Sequence, residues 1–461
     1  MRIKFLSVIV SFLIVSIAVS SCLDSDENYE YSSDATIHAF GIDTIHGKYY
    51  KFSIDQLRRY IFNEDSLPVG SDTIIDRILI DSMMVMVGGW ITSGSPTDTL
   101  FNTADSVNLI PAMNKGINGM EFTVHAADLV TTRKYTLEVR VHKEDPDSLV
   151  WKEMTPFNTT AIPNNQKVIT LKNNDKEELW VYTSNTTAYK TSTDPLKFQW
   201  QPVSGINLPA NAKLTSIVNF KHVTTNATIE TENQYLYVVT EDYKVYRSEN
   251  GVVWQEVNEL GNNVQALIAS FPNVLTGIVK IGNKEYFNIS NDGLEWEDAE
   301  GDQGEFKLPE VPASFPIDNI YTSNFSTTNG VPQVMAVGTP RTSGNKQTLI
   351  WFSMTGTDWT EISSTAYDAY CPAMENPFAM YYGGLFYCFG DKLDAIYSSI
   401  AGISWQKIER KFLLEKTFNG NTAPYSVIVD ENNFIWIVFG GKGTENKVWR
   451  GRLNKLGFKG Q

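Results

Sequence analysis

The chain has 461 residues, 42% hydrophobic and 20% charged, which is ordinary globular composition with length for more than one domain. Its formal net charge of −15 at neutral pH excludes a general ligand for nucleic acid or anionic lipid. The 24 Phe, 21 Tyr and 11 Trp lean toward β structure, because rings pack well on pleated surfaces.

Arg2 and Lys4 precede an apolar run of 15 residues, 5–19, shorter than the roughly 20 residues of a membrane-spanning helix. Residues 1–21 therefore read as a secretory signal peptide. It ends in Val-Ser-Ser before Cys22, which resembles the lipobox of bacterial lipoproteins. That resemblance implies cleavage before Cys22 and lipid on its thiol and new amino group. No other apolar run approaches spanning length, so this lipid is the one membrane attachment expected. Loss of Arg2 and Lys4 takes the formal charge from −15 to −17. Residues 22–34 are acidic and poor in aliphatics, and read as a solvated tether. An acidic stretch after the lipid cysteine resembles the surface-export signal of Bacteroidetes lipoproteins. It implies an outer-membrane protein at the cell surface, with a plain spacer and a periplasm-facing chain as the alternative. An exported chain permits a disulfide. Yet Cys371 opens a loop-like stretch and Cys388 lies in a buried-strand pattern, so two free thiols are expected.

Residues 35–145 read as one β domain. SIDQLRRYIFN (53–63) is expected to form a short helix with Ser53 as N-cap. MMVMVGGWI (83–91), MEFTVHA (120–126) and RKYTLEVRVHK (133–143) read as strands. Size and spacing fit an immunoglobulin- or cadherin-like β-sandwich, and the polar EDPDS (144–148) is a natural hinge.

Residues 148–458 carry a recurring phrase. SENGVVW (248–254), SNDGLEW (290–296), SMTGTDW (353–359) and SIAGISW (399–405) follow a looser STDPLKF (192–198). The starts are 56, 42, 63 and 46 residues apart, one supersecondary unit per period. Three apolar runs precede each copy and one strand follows it, giving the four-stranded blade of a β-propeller. The phrase resembles the Asp-box of sialidase-like propellers, shortened by one residue. Ser192 with Asp194, Ser248 with Asn250, Gly251 and Trp254, and Ser290 with Asp292, Gly293 and Trp296 are read as structural. So are Ser353, Gly356 and Trp359, and Ser399, Gly402 and Trp405. The acid bonds its own turn, the glycine takes positive φ, and the tryptophan starts the outer strand and packs over the blade's edge. Thr355 and Ala401 replace the acid, so those two turns are expected to be weaker.

The C-terminal runs lack a closing strand. SLVWKEM (148–154) matches GVVWQEV (251–257), which places Trp151 in an outer strand, 148–154, that closes the last blade. Six blades result, with seven as the alternative if the 63-residue period hides a degenerate one. Signal, β-sandwich, short-box propeller and FNEDSLPVGSD (62–72) together resemble a family of uncharacterised Bacteroidetes lipoproteins, which implies no activity.

Chemical motifs are scarce. His38, His46, His125, His142 and His222 show no zinc spacing, and no phosphate loop or nucleophile elbow occurs, so no metal and no cofactor is expected. The acidic clusters 173–178 and 430–433 fall where hairpin turns are expected. Sialidases clamp a carboxylate with three arginines, but only Arg247, Arg341 and Arg410 stand between Arg140 and Arg450, and Arg247 is at the box end. The leading expectation is non-catalytic recognition of a glycan or envelope protein, by a monomer, through the face opposite the boxes. The six loops joining second and third strands carry +2 in total, and Lys284, Arg341 and Lys346 could form a basic rim there for an acidic ligand such as an anionic glycan. The bland reading is lysines that keep exposed turns soluble. Alternatives are a glycoside-active enzyme with two carboxylates in the propeller centre, and an assembly partner of an envelope complex.

Overall fold

The structure is a computed structural model. It describes residues 30–93, 99–114, 120–159, 165–174, 176–226, 229–300, 305–341, 344, 346–362, 369–390, 393–408, 414–418, 421, 423–441 and 446–457. Cys22, the signal peptide and most of the tether lie outside the described residues. Short β-rich runs build two units, Met1–Asp145 and Pro146–Gln461.

In the first unit Ile37–Gly41 pairs with Ser82–Val85 in a two-stranded sheet. A five-stranded sheet runs in the order Phe52–Asp55, Tyr60–Asn63, Thr132–Glu138, Met120–His125, Trp90–Ser93. Phe40 of the small sheet lies 5.1 Å from Phe52 and 6.4 Å from Phe122 of the large one, ring centre to ring centre, so the core lies between the two layers.

Two expectations fail here. Residues 53–63 form a hairpin, not a helix, with Ser53 opposite Phe62 and Asp55 opposite Tyr60. Asp55 closes the turn by accepting the N–H groups of Leu57 and Arg58 at 3.0 Å, and Arg59 takes φ 56°. Leu57 is 96% exposed at the tip. Residues 83–91 are not one strand either. The chain turns at Gly88 (φ 87°) and delivers its two halves to different sheets.

The second unit is a six-bladed β-propeller. The blades begin with Lys167–Asn173, Val218–Asn226, Val264–Phe271, Asp318–Ser326, Phe378–Tyr382 and Tyr425–Val429, which surround the axis. Within the first five blades the strands follow in chain order, antiparallel. The 63-residue interval holds Asp318–Ser326, Pro332–Thr339 and Ile350–Ser353 before the repeated turn, one blade and no more among the described residues.

The third blade departs from the pattern, because among the described residues no fourth strand follows its turn. The edge is covered later in the chain. Phe287 N–H donates to the Pro309 carbonyl at 2.9 Å, and Val311 N–H to the Glu285 carbonyl at 2.8 Å. An exposed edge is thereby paired without a regular strand.

Leu149–Met154 is the outermost strand of the sixth blade, antiparallel to Val448–Leu453, with Trp151 opposite Gly451. The Trp151 indole occupies the space above Gly451, where an added Cβ would meet the ring at 2.5 Å. The first strand of the unit thus zips onto its last. Gly451→Ala is expected to cost about 1–3 kcal/mol through overpacking. Adding Trp151→Leu should recover part of that loss, the sign of a direct contact. Urea unfolding of the single and double variants measures both; additive losses would show that the two residues do not meet.

Candidate functional site

The repeated turns are built alike. Ser248, Ser290, Ser353 and Ser399 are buried, and each Oγ accepts the N–H of the glycine three residues on, at 2.8–2.9 Å. Those glycines, Gly251, Gly293, Gly356 and Gly402, have φ between 74° and 88°. Asn250 and Asp292 accept the two following N–H groups through Oδ1. Thr355 does the same with its hydroxyl at 3.2 and 3.0 Å, so it substitutes for the acid rather than merely lacking it. In the looser first copy Asp194 N–H donates to Ser192 Oγ and Asp194 Oδ1 accepts Leu196 N–H.

Each turn reaches the preceding blade. The Tyr182 hydroxyl donates to the Gly251 carbonyl at 2.7 Å, Tyr237 to Gly293 at 2.8 Å, and Thr276 to Gly356 at 2.8 Å. Gly402 lies against the Phe352 ring. Trp254, Trp359 and Trp405 donate Nε1–H to the carbonyl of their own turn's glycine, at 3.3, 2.7 and 3.0 Å. They do not cap an outer edge. Trp254 packs against Tyr182 of the first blade, and Trp359 against Phe287 of the third. Trp296 packs instead on Gly277 of its own blade and bonds the Leu260 carbonyl. In the first copy Phe198 stacks on Trp436 of the sixth blade at 5.5 Å. The polar groups of these turns are spent on holding blades together.

The opposite face carries the loops between second and third strands. Lys284 Nζ lies 2.6 Å from Glu310, and Arg341 grips Glu285 with two nitrogens at 2.6 and 3.1 Å. Lys346 is exposed and makes no ion pair among the described residues. The expected basic rim is therefore largely neutralised by carboxylates that lie outside the loops whose charges were counted or at their borders. Beside it Asn211 donates to Asp242 at 2.6 Å, and Lys213 sits 5.6 Å over the Tyr243 ring. Tyr243 is 39% exposed, and Phe306, edge-on to Tyr286 at 4.7 Å, is 48% exposed.

A cavity of about 220 Å³ runs along the axis, walled by the innermost strands of all six blades. Among the described residues no Asp or Glu lines it, so the cavity does not show the pair of carboxylates that the alternative reading of a glycoside-active enzyme places in the propeller centre. Its cation is Lys167, buried, whose ammonium burial pushes down to about 8. Sequence reasoning missed this residue, since one lysine at a strand start has no motif. Among the described residues no cluster of three His, Cys, Asp or Glu could hold a metal. Cys371 and Cys388 are free and buried, and the neighbouring Cys371 thiol and burial raise Cys388 well above the ordinary range.

The two acidic clusters set aside as turns meet at the seam between first and sixth blades. Asp430 accepts the N–H groups of Asn432 and Phe434 and the Trp436 indole N–H at 2.8–2.9 Å. Glu177 Oε2 accepts Glu431 N–H at 3.0 Å. Burial, with Asp430 and Glu431 alongside, pushes the Glu177 carboxyl up to about 7.

A family profile described as the DUF6242 beta propeller domain matches residues 145–461. Another, the domain of unknown function (DUF6242) N-terminal domain, matches residues 22–139. No curated protein matches the chain. Among solved structures it is similar to an α-L-arabinofuranosidase from Fusarium graminearum, at 14% identity and TM-score 0.42, over 67% of this chain and 98% of that one. It is similar to the fucose-specific lectin from Aleuria aurantia at 13% and 0.34, over 64% and 92%. It is also similar to a DUF4221 member from Bacteroides vulgatus at 10% and 0.36, over 67% and 98%.

Two outcomes follow from the turns and the seam. Gly282→Ala, at φ 63° with open space around it, should cost about 1–2 kcal/mol of backbone strain. Gly293→Ala adds a collision with the Tyr237 hydroxyl and should cost measurably more in urea unfolding. Equal losses would deny the clamp. A raised carboxyl stabilises the fold while protonated and loses that contribution as pH rises from 4.5 through about 7. Glu177→Gln should accordingly gain stability over the native chain progressively across that window, read by thermal melting; a difference independent of pH would contradict the burial account.

Proposed function

Since the chain belongs to the DUF6242 family, through its N-terminal domain and its β-propeller alike, we propose that the propeller is a non-catalytic recognition module for a glycan. The ligand meets the face opposite the repeated turns, on blades two to four. We further propose that lipid on Cys22 holds the protein at the outer membrane, where such a ligand is encountered.

The observation that carries this reading is the composition of that face. Lys284 with Glu310, Arg341 with Glu285 and Asn211 with Asp242 present donors and acceptors side by side in fixed pairs. Exposed Phe306 and Tyr243 flank them. Neighbouring hydroxyls of a sugar are complemented by such adjacent donors and acceptors, and a sugar's apolar face by an exposed ring. Pairing of the cations points to a neutral glycan rather than the anionic one that the loop charges alone suggest. The turn face supports less, because its serines, glycines and most of its tryptophans are already hydrogen-bonded within the ring.

An array of neutral and acidic glycans probed with the mature chain tests the proposal. Binding to neutral glycans is expected, reduced about tenfold or more by Tyr243→Ala or Phe306→Ala without loss of thermal stability. Absence of glycan binding, or binding to acidic glycans indifferent to both changes, would contradict it and favour a protein ligand.

A further inference from the structure

The propeller axis holds a charge that neither the blade contacts nor the recognition face uses. Lys167 is the first residue of the innermost strand of blade one, so it lies at the end of the channel nearest the loops opposite the repeated turns. It is 6% exposed and lines the axial cavity. Its ammonium donates to the Thr215 carbonyl at 3.2 Å and stands 4.9 Å over the Tyr321 ring. It makes no ion pair among the described residues, and no carboxylate lines the cavity.

A buried ammonium has three donors to satisfy and loses several kcal/mol of hydration. One neutral carbonyl and one ring face offset only part of that. Burial pushes its ammonium down to about 8. Asn219 also lines the cavity, and its Nδ2 donates to the Thr170 carbonyl at 2.7 Å. Of the other polar side chains in the lining, Thr322 Oγ1 donates to the Ala269 carbonyl at 3.4 Å and Ser323 Oγ accepts the Tyr381 N–H at 2.9 Å, and hydrocarbon and sulfur come from Ile217, Leu267, Ile320, Phe378, Met380 and Val427. At about 220 Å³ the space is below the 300–1,000 Å³ of pockets for drug-sized molecules.

We propose that the axial cavity binds a small organic acid, with its carboxylate on the Lys167 ammonium and its apolar body along the axis. An apolar wall disfavours a fully hydroxylated sugar, because each unmet hydroxyl costs free energy on burial. The site is therefore distinct from the glycan face and stands or falls independently of it.

Calorimetric titration of the mature full-length protein with hexanoate and benzoate, against hexanamide and benzamide, tests the proposal. At least one acid is expected to bind one to one, about tenfold or more tightly than its amide, as one charge-assisted contact allows. Lys167→Met should reduce the acid to the affinity of the amide and leave glycan-array binding unchanged. Should that variant not fold, the native protein still decides. Reductive methylation of Lys167, followed by peptide mass spectrometry, should be slowed by the acid and not by its amide. Equal affinity of acid and amide, or no binding together with unchanged Lys167 methylation, would overturn the proposal.

Discussion

A hydroxyl of one blade donating to the glycine carbonyl of the next blade's turn is the contact on which the propeller depends. Tyr182, Tyr237 and Thr276 supply that hydroxyl for Gly251, Gly293 and Gly356. The carbonyl is presented because the glycine takes positive φ, and the glycine is held there because a buried serine Oγ accepts its N–H. An unmet buried polar group costs about 1–3 kcal/mol, so each member of the arrangement fixes the others. The tryptophan then donates to the same carbonyl in three of the turns and fills the space between blades.

Repetition follows from geometry. A ring of blades needs one such contact per junction, and the places where it is missing are repaired by other means. In the first copy a proline stands in the glycine's place, and Phe198 stacks on Trp436. At the sixth blade the turn would fall at the chain ends, and there Asn454 N–H bonds the Ser148 carbonyl and Lys455 N–H the Pro146 carbonyl. With one face committed to holding the ring, the loops of the other can differ from blade to blade without loss of closure. The charge pairs and exposed rings described above are found among those loops.

Much of this was legible in the sequence, and the limits are physical. The recurring turn phrase reports a local turn, so five blades could be counted from its copies and the sixth inferred from the strand 148–154. The likeness of 148–154 to 251–257 rests on the same local chemistry, and in the structure Leu149–Met154 pairs with Val448–Leu453. Long-range pairings left no such trace. Glu285 and Glu310 lie outside or at the edge of the loops that carry Lys284 and Arg341, so counting loop charge overstated the basic rim. Residues 53–63 read as a helix from Ser53 as N-cap, but Asp55 closes a tight turn there and the two arms pair as a hairpin, a pairing the sequence pattern did not reveal. Lys167 is conspicuous only once five other blades surround it. Asp430 lies in a hairpin turn as expected, but Glu177 lies in the strand Lys176–Ser184, opposite Lys172, and their meeting across the seam depends on closure of the ring.

Native-state hydrogen exchange of the Gly251, Gly293, Gly356 and Gly402 amides tests most directly the claim that the repeated turns hold the blades while the opposite face is free to bind. These amides are expected to exchange only through unfolding of the whole propeller, with the 240–244 and 280–284 loops opening locally at far lower free energy. Local exchange of the four glycines, with those loops protected, would contradict the account.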